Sequence, residues 1–265
     1  MSNSLVLERV EANLTRLRLP RISQILQPVI KTAEENSKSY LTFLDELLDE
    51  EVTQKEQRRI ETNLRISGLP YIKTIDEFDF AFQPKLNRQI VMSLFDLTFI
   101  QYQQNVIFLG PPGVGKTHLA VALAVKACQS GLSIYSTTME DLIKKLKKDH
   151  ESNRRGKGRS YYKSALVIVD EVGYTPITRE ECNLFFRFVA NRYEKASTII
   201  TSNKAFIDWT EMFHDPIIVT AILDRLLHHS IVINIRGKSF RLSGKIHVGK
   251  EKIEKEVVDM NGLRG

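Results

Sequence analysis

At 265 residues, with 42% hydrophobic and 26% charged side chains, the chain can bury a full core, which excludes a wholly disordered protein and allows one large domain or a main domain with a smaller companion. Its two cysteines, Cys128 and Cys182, lie in apolar stretches of helical spacing, which argues against a disulfide framework and suits a reducing cytoplasm. The formal net charge of +6 is unevenly placed, and its location matters more than its size.

The first residues, MSNSLVLERVEANLTRLRLP, interrupt every apolar stretch with charge, so neither a signal-peptide core nor a membrane span is expected and the protein reads as soluble and cytoplasmic. Residues 1–70 show helical periodicity and no strand pattern. Leu5, Val6, Val10, Leu14 and Leu17 share one face of a first helix, closed by Pro20. A second helix carries Ile25, Leu26, Val29 and Ile30, and a long third one sets Leu41, Leu44, Leu48 and Val52 on a stripe before a charged stretch to Leu64. Gly68 and Pro70 stop it. Such a module serves assembly or partner binding, or simply packs against the main domain.

From Tyr71, a segment with Phe78, Phe80 and Phe82 reads as a strand or extended lead-in, and one helix carrying Leu86, Ile90, Leu94, Leu97 and Ile100 follows. The chain then alternates: strands at 105–109, 132–137, 165–170, 197–202 and 230–235, with helices at 116–130, 139–149, 179–194 and 217–228. That order predicts an α/β fold with a doubly wound, mainly parallel sheet.

Behind the first strand stands Gly110-Pro111-Pro112-Gly113-Val114-Gly115-Lys116-Thr117, followed by His118, with the full Walker A spacing G-x-x-x-x-G-K-[ST]. Glycines turn backbone N–H groups onto phosphate oxygens, and the next helix points its positive end at the same anion. Lys116 would reach the β- and γ-phosphates of ATP, and the Thr117 hydroxyl would sit on Mg²⁺. The histidines offer no metal-ligand cluster of usable spacing.

Between Lys144 and Lys163, nine Lys and Arg stand against only Asp149 and Glu151, so this stretch carries +7 and the rest of the chain −1. Such local excess marks a docking site for a polyanion. Lys144, Lys145, Lys147 and Lys148 close a helix that begins near Met139, while Arg154, Arg155, Lys157 and Arg159 lie in a glycine-bearing loop, all eight being candidate DNA contacts. Tyr161 and Tyr162 would either stack on bases or pack inward.

The apolar run Ala165–Val169 ends in Asp170 and Glu171, 53 residues after Thr117 in the case of Asp170. Asp170 would complete the Mg²⁺ shell and Glu171 would polarise an attacking water, which favours hydrolysis over transfer to a small-molecule hydroxyl. Asn203 closes the next strand and is placed to orient that water, or else to start a turn. Arg225, in a helix whose Ile222 and Leu226 face the core, suits an arginine finger reaching a neighbouring subunit's γ-phosphate. Arg241 is a second basic candidate for the nucleotide, and residues after Gly244 read as a disordered tail.

The ordered set NVIFLGPPGVGKTHLAVAL, ALVIVDEVGY, STIITSNKAF, AILDRLLHHS and GKSFRL resembles the IstB/DnaC branch of the AAA+ ATPases, and within it the IstB helper ATPases of insertion-sequence transposition, over about residues 75–243. The resemblance implies an ATPase that oligomerises on duplex DNA, with ATP sites at subunit interfaces, and hands a target site to the transposase of the same element. It assigns the positions of Lys116, Thr117, Asp170, Glu171 and Asn203 to the nucleotide and that of Arg225 to the subunit boundary. It also implies no C-terminal helical lid, which leaves the role of Arg241 open, since the corresponding arginine usually resides there. The domain reading is therefore 1–70 helical, 71–244 ATPase and 245–265 tail. The alternatives are a DnaC-like replicative helicase loader acting on single strands, a kinase for a small metabolite, and a nucleotide-gated DNA-binding module without turnover.

Overall fold

The computed structural model describes residues 3–152, 159–213 and 215–243. The chain forms two compact units, Met1–Thr62 and Asn63–Gly265.

In the first unit, α1 (Asn3–Arg16), α2 (Pro20–Glu35) and the start of α3 (Tyr40–Ile66) enclose a small core of Leu14, Ile22, Leu26 and Leu47, with Leu7, Val10 and Phe43 packed against it. Pro20 opens α2 as its first helical residue, where its missing N–H would be unpaired anyway. Glu51 is 2% exposed, and its Oε2 accepts the backbone N–H groups of Arg21 at 2.8 Å and Ile22 at 3.0 Å. A carboxylate from α3 thus satisfies two orphan donors at the positive end of α2. This orientation turns Phe43, Leu47 and Glu51 inward, and the expected stripe outward: Leu41, Leu44, Leu48 and Val52 are between 46% and 77% exposed. Leu5 of α1 and Leu17 in the turn after it are exposed as well, so only part of the predicted face is core.

The second unit starts with the end of α3 and then a loop containing a 3₁₀ turn at Ile75–Glu77, and Phe78 to Phe82 form no strand. The helix expected around Leu86–Ile100 is broken into α4 (Arg88–Ser93), a 3₁₀ turn (Leu94–Asp96) and α5 (Thr98–Gln101). Leu97 enters the left-handed region at φ 62°, which lets Leu94, Leu97 and Ile100 all bury where a straight helix would splay them.

The strands β1 (Asn105–Leu109), β2 (Ile134–Thr138), β3 (Leu166–Val172), β4 (Ser197–Ser202) and β5 (Ser230–Asn234) form one sheet in the order β2-β3-β4-β1-β5, every pairing parallel. Between them run α6 (Lys116–Gln129), α7 (Met139–Glu151), the single turn α8 (Ser160–Lys163), α9 (Arg179–Arg192), α10 (Trp209–Phe213) and α11 (Pro216–His228). Ile107, Leu109, Val167, Val169 and Ile200 pack with residues of α7, α9 and α11. The alternate residues Val106, Phe108, Leu166, Ile168 and Ile199 face the opposite way and are equally buried, as a sheet covered on both sides requires. Apolar strands with helices on both faces are the doubly wound fold that the alternation predicts.

One buried cation ties the sheet to its flank. Arg192, 2% exposed at the end of α9, donates to the carbonyls of Tyr161, Tyr162, Ser164 and Ser197 and to Thr198 Oγ1. Burial pulls its pKa down to about 10. Among the described residues, no helix is long and apolar enough to cross a membrane. The predicted tail and the absence of a lid concern residues beyond 243, which lie outside the described residues.

Candidate nucleotide site

Strand β1 delivers Gly110 to the carboxyl edge of the sheet, and the loop to α6 crosses that edge. Gly115 stands at φ +100°, and a Cβ there would come within 2.5 Å of the Phe78 ring, so the loop needs glycine for both conformation and clearance. Lys116 is 9% exposed, and its Nζ donates to the carbonyls of Gly110 at 2.7 Å and Pro111 at 2.8 Å. Burial lowers its pKa, Asp170 and Glu171 oppose that, and Arg241 adds to it.

Thr117 is the second residue of α6, and its Oγ1 donates to Asp170 at 3.0 Å (Oδ1) and 3.2 Å (Oδ2). Thr201 Oγ1 donates to the same carboxylate from β4, the strand between β1 and β3. Glu171, the next residue, takes φ 61° and donates its N–H to Thr201 Oγ1 at 3.0 Å, where the β3–β4 register shifts between Val169 and Val172. Left-handed backbone is costly for glutamate, and strain of this kind gathers where a side chain must be aimed. Here it turns an otherwise alternating strand so that adjacent acids serve one site.

Lys116, Thr117, Glu171 and Thr201 line a cavity of about 570 Å³, within the range of nucleotide-sized pockets, with Asp170 behind its wall. Pro112, Gly113, Val114, Gly115, Lys116, Thr117, His118, Glu171, Asn203 and Arg241, all candidates from the sequence, lie on its wall. His118 Nε2 pairs with the Thr74 carbonyl at 2.9 Å, and its ring meets Phe78 edge-on, so it props the wall. Asn203 Oδ1 is buried without a hydrogen-bond partner, an acceptor that a bound group would satisfy. Arg241 reaches the cavity because Phe240 N–H donates to the Gly113 carbonyl at 2.9 Å, docking the 239–243 segment on the phosphate loop. For Mg²⁺, the oxygen donors Thr117 and Asp170 are of the hard type that ion takes, and their mutual hydrogen bond puts them in reach of a common ligand. They fit the ion; ATP would fill the cavity along the loop.

The sequence missed other residues of the wall. Tyr71, Phe78, Phe82, Gln83, Thr201 and Phe240 also line the cavity. The Phe78-x-Phe80-x-Phe82 spacing was the available signal, but it reads as a strand or extended lead-in. Burial raises the Tyr71 pKa, helped by the Asp170 charge and opposed by Arg241.

Arg225 lies elsewhere. Its guanidinium sits 4.8 Å over the Phe186 ring and donates to the Ala221 carbonyl at 3.0 Å, beside Tyr193 and His229. This is the edge where β1 begins, since Leu226 O accepts from Asn105 Nδ2, and it is opposite to Gly110. Arg225 is therefore remote from its own chain's cavity. The fold also gathers Glu194, His228 and His229, exposed and with ligand atoms within 4.8 Å, a cluster that sequence spacing did not show.

Arg154, Arg155 and Lys157 lie outside the described residues. The other candidates for DNA have neighbours. Lys144 pairs with Glu140 at 2.6 Å, Lys145 donates to Tyr135 Oη at 2.7 Å, and Lys147 pairs with Glu181 at 2.9 Å, while Lys148 is exposed. Arg159 pairs with Asp149 at 2.8 Å. Glu140 and Glu181 lie outside the segment counted as +7, so the local field is weaker than that count implies. Tyr161 is 3% exposed, donates its hydroxyl to Asp149 and packs against Tyr162 and Phe188. It packs inward, which rules out base stacking by this residue.

A five-stranded parallel sheet, a phosphate loop after its β1, and paired acids one strand removed on β3 define a P-loop protein of the AAA+ class. The comparisons agree: AMPPCP-bound DnaA from Aquifex aeolicus superposes with a TM-score of 0.53 at 19% identity, over 71% of this chain and 56% of that one. DnaI gives 0.51 at 19% identity, over 63% and 89%. The chain belongs to the IstB-like ATP binding protein family, whose model matches residues 12–248. The ATP-binding protein of insertion sequence IS21 from Pseudomonas aeruginosa is 44% identical over 92% of each chain, and that of IS5376 from Geobacillus stearothermophilus is 41% identical over 90% of this chain and 95% of its own.

Proposed function

We propose that this protein binds ATP with Mg²⁺, hydrolyses it, assembles into homo-oligomers on duplex DNA, and helps the transposase of its insertion element choose a target. The observation that carries the reading is the convergence of Lys116, Thr117, Glu171 and Asn203 on one cavity, with Asp170 hydrogen-bonded to Thr117 behind it. Mg²⁺ would neutralise phosphate charge and orient its oxygens. Thr117 and Asp170 hold that position, Lys116 supplies positive charge, and Glu171 takes the proton of the attacking water while Asn203 orients it.

Arg225 supports assembly as a condition of turnover. It is remote from its own cavity, so it acts, on this reading, at a neighbour's. The names of the relatives, ATP-binding proteins of insertion sequences, support the link to transposition, and the lysines of α7 support DNA contact. Exposed ion pairs contribute little, so Lys144 can exchange Glu140 for a phosphate at small cost.

The test is ATP turnover at two protein concentrations, with and without duplex DNA. Specific activity should rise with concentration and again with DNA. Turnover independent of both would reject the assembly reading and favour a monomeric kinase or hydrolase, and a preference for single strands would favour a helicase loader.

A further inference from the structure

At the sheet edge remote from the phosphate loop, the fold brings together three side chains that neither the nucleotide cavity nor the core uses. Glu194, His228 and His229 are exposed, and their ligand atoms lie within 4.8 Å of one another. Glu194 Oε1 is 3.4 Å from His229 Nε2 and 3.9 Å from His228 Nδ1. In a tetrahedral zinc site with bonds of about 2.0–2.1 Å, neighbouring ligand atoms stand about 3.4 Å apart. One edge of that figure already has its length, and the other closes by a side-chain adjustment of about half an ångström.

The backbone explains the convergence. Adjacent residues within a helix point about 100° apart and would not share an ion, but α11 ends at His228, and His229 takes φ −124° and ψ 80°. That break sets the two imidazole centroids 4.0 Å apart. Glu194 follows the end of α9 in the left-handed region at φ 55°, a position that helices usually give to glycine. A glutamate there forgoes the glycine's ease and turns a carboxylate toward the end of α11.

The surroundings favour a cation. The histidines stand at the C-terminal end of α11, where the helix dipole is negative, and the exposed Asp224 lies one turn back from His228 on the same face. The neighbouring positive charge, Arg225, is engaged by the Phe186 ring and the Ala221 carbonyl. Tyr193 Oη, 2.6 Å from His228 Nδ1, would yield that contact to an ion, and Glu194 offers the hydroxyl a second partner. Two imidazoles and a carboxylate suit zinc and its neighbours among the divalent metals, whereas Mg²⁺ takes oxygen ligands in six-fold geometry.

We propose that Glu194, His228 and His229 form a surface site for a divalent metal ion of the zinc type, with the fourth position left to water. The ion would clasp the end of α9 to the end of α11, the helix that carries Arg225. The assignment is independent of the nucleotide reading, since none of the three residues lines that cavity.

The test is a calorimetric titration of the untagged, chelator-treated full-length protein with Zn²⁺ in excess Mg²⁺. One ion should bind per chain with a Kd on the order of 1–10 µM. Glu194→Gln and His229→Ala should each weaken it by at least the roughly 10- to 100-fold that loss of an outer-shell partner costs. Both side chains are exposed, so neither change touches the core, and thermal midpoints equal to the wild-type value in chelator confirm it. Zinc bound equally well by the wild-type protein and both variants would place the ion elsewhere in the chain and overturn the assignment. Absence of binding at about 100 µM zinc would overturn it as well, leaving the cluster as a histidine–carboxylate ion pair.

Discussion

Thr117, in the first turn of α6, and Asp170, in β3, stand 53 positions apart in the chain, yet the threonine hydroxyl donates to both carboxylate oxygens, at 3.0 and 3.2 Å. A hydroxyl and a carboxylate in contact form half of an oxygen cage. Asp170→Asn should therefore abolish the Mg²⁺ dependence of nucleotide affinity and cut turnover by about 100-fold or more. Titration of ATP with and without Mg²⁺ checks this. A variant that keeps the full Mg²⁺ effect would show that Asp170 does not face the metal.

Glu171 sits at φ 61° on the bulged end of β3. Glu171→Gln keeps the hydrogen bond from its backbone N–H to Thr201 and removes the base. Hydrolysis should fall roughly 10²- to 10⁴-fold with ATP affinity preserved. Equal losses in both, measured by turnover and by binding, would mean that the side chain only supports the fold.

How much of this was readable in advance depends on sequence distance. The phosphate loop is eight consecutive residues, and the acids end a strand of continuous apolar character, so each announces itself locally. The aromatic part of the wall does not, because Gln83 and Lys238 are 155 positions apart and meet only through folding. Aromatic residues such as Phe82 and Phe240 carry the same pattern whether they fill a core or line a pocket. On α3, periodicity offered two apolar faces, one through Leu41, Leu44 and Leu48, the other through Phe43 and Leu47. Glu51 settled the choice toward the second by capping α2, a tertiary hydrogen bond that no helical pattern encodes.

Arg225 leans on Phe186 at the sheet edge opposite its own phosphate loop. Arg225→Ala should lower turnover about 10³-fold or more without weakening ATP binding. Mixing it with Lys116→Ala should restore part of the activity, since one variant keeps an intact loop and the other an intact arginine. No recovery at any mixing ratio would place the arginine's role within its own subunit.

Asp149 binds Arg159 at 2.8 Å and accepts the Tyr161 hydroxyl, so one buried carboxylate gathers the end of α7 and the start of α8. Asp149→Asn removes a negative charge, which by long-range attraction alone would strengthen binding to DNA. We expect weaker binding, with stability lower by about 1–3 kcal/mol, because Arg159 and the Tyr161 hydroxyl lose the carboxylate that holds them. Duplex affinity across a salt series, with denaturant midpoints alongside, decides between field and geometry; every phosphate that the variant leaves unneutralised should make the slope shallower by about 0.9.

Cys182 is fully buried, and burial, aided by the Asp215 charge, raises its thiol pKa to about 11 from 9.0. The unfolded chain releases this proton first, so the contribution is complete below about pH 9 and declines as pH rises toward 11. Denaturation midpoints at pH 8 and pH 10 should differ more for the wild-type protein than for Cys182→Ala. An identical pH response would assign the decline to other groups.

Arg192 acts as a rivet through two plates. Its guanidinium holds the carbonyls of Tyr161, Tyr162 and Ser164 on one side and Ser197 with Thr198 on the other. The first group is the foot of the basic segment; the second begins β4, whose far end carries Thr201 against Asp170. Shearing these plates apart would strand a buried cation and several carbonyls together, so they travel as one stiff lever. A pull on the basic segment would then arrive at the Asp170 carboxylate as a displacement of β4, with no hinge between to absorb it.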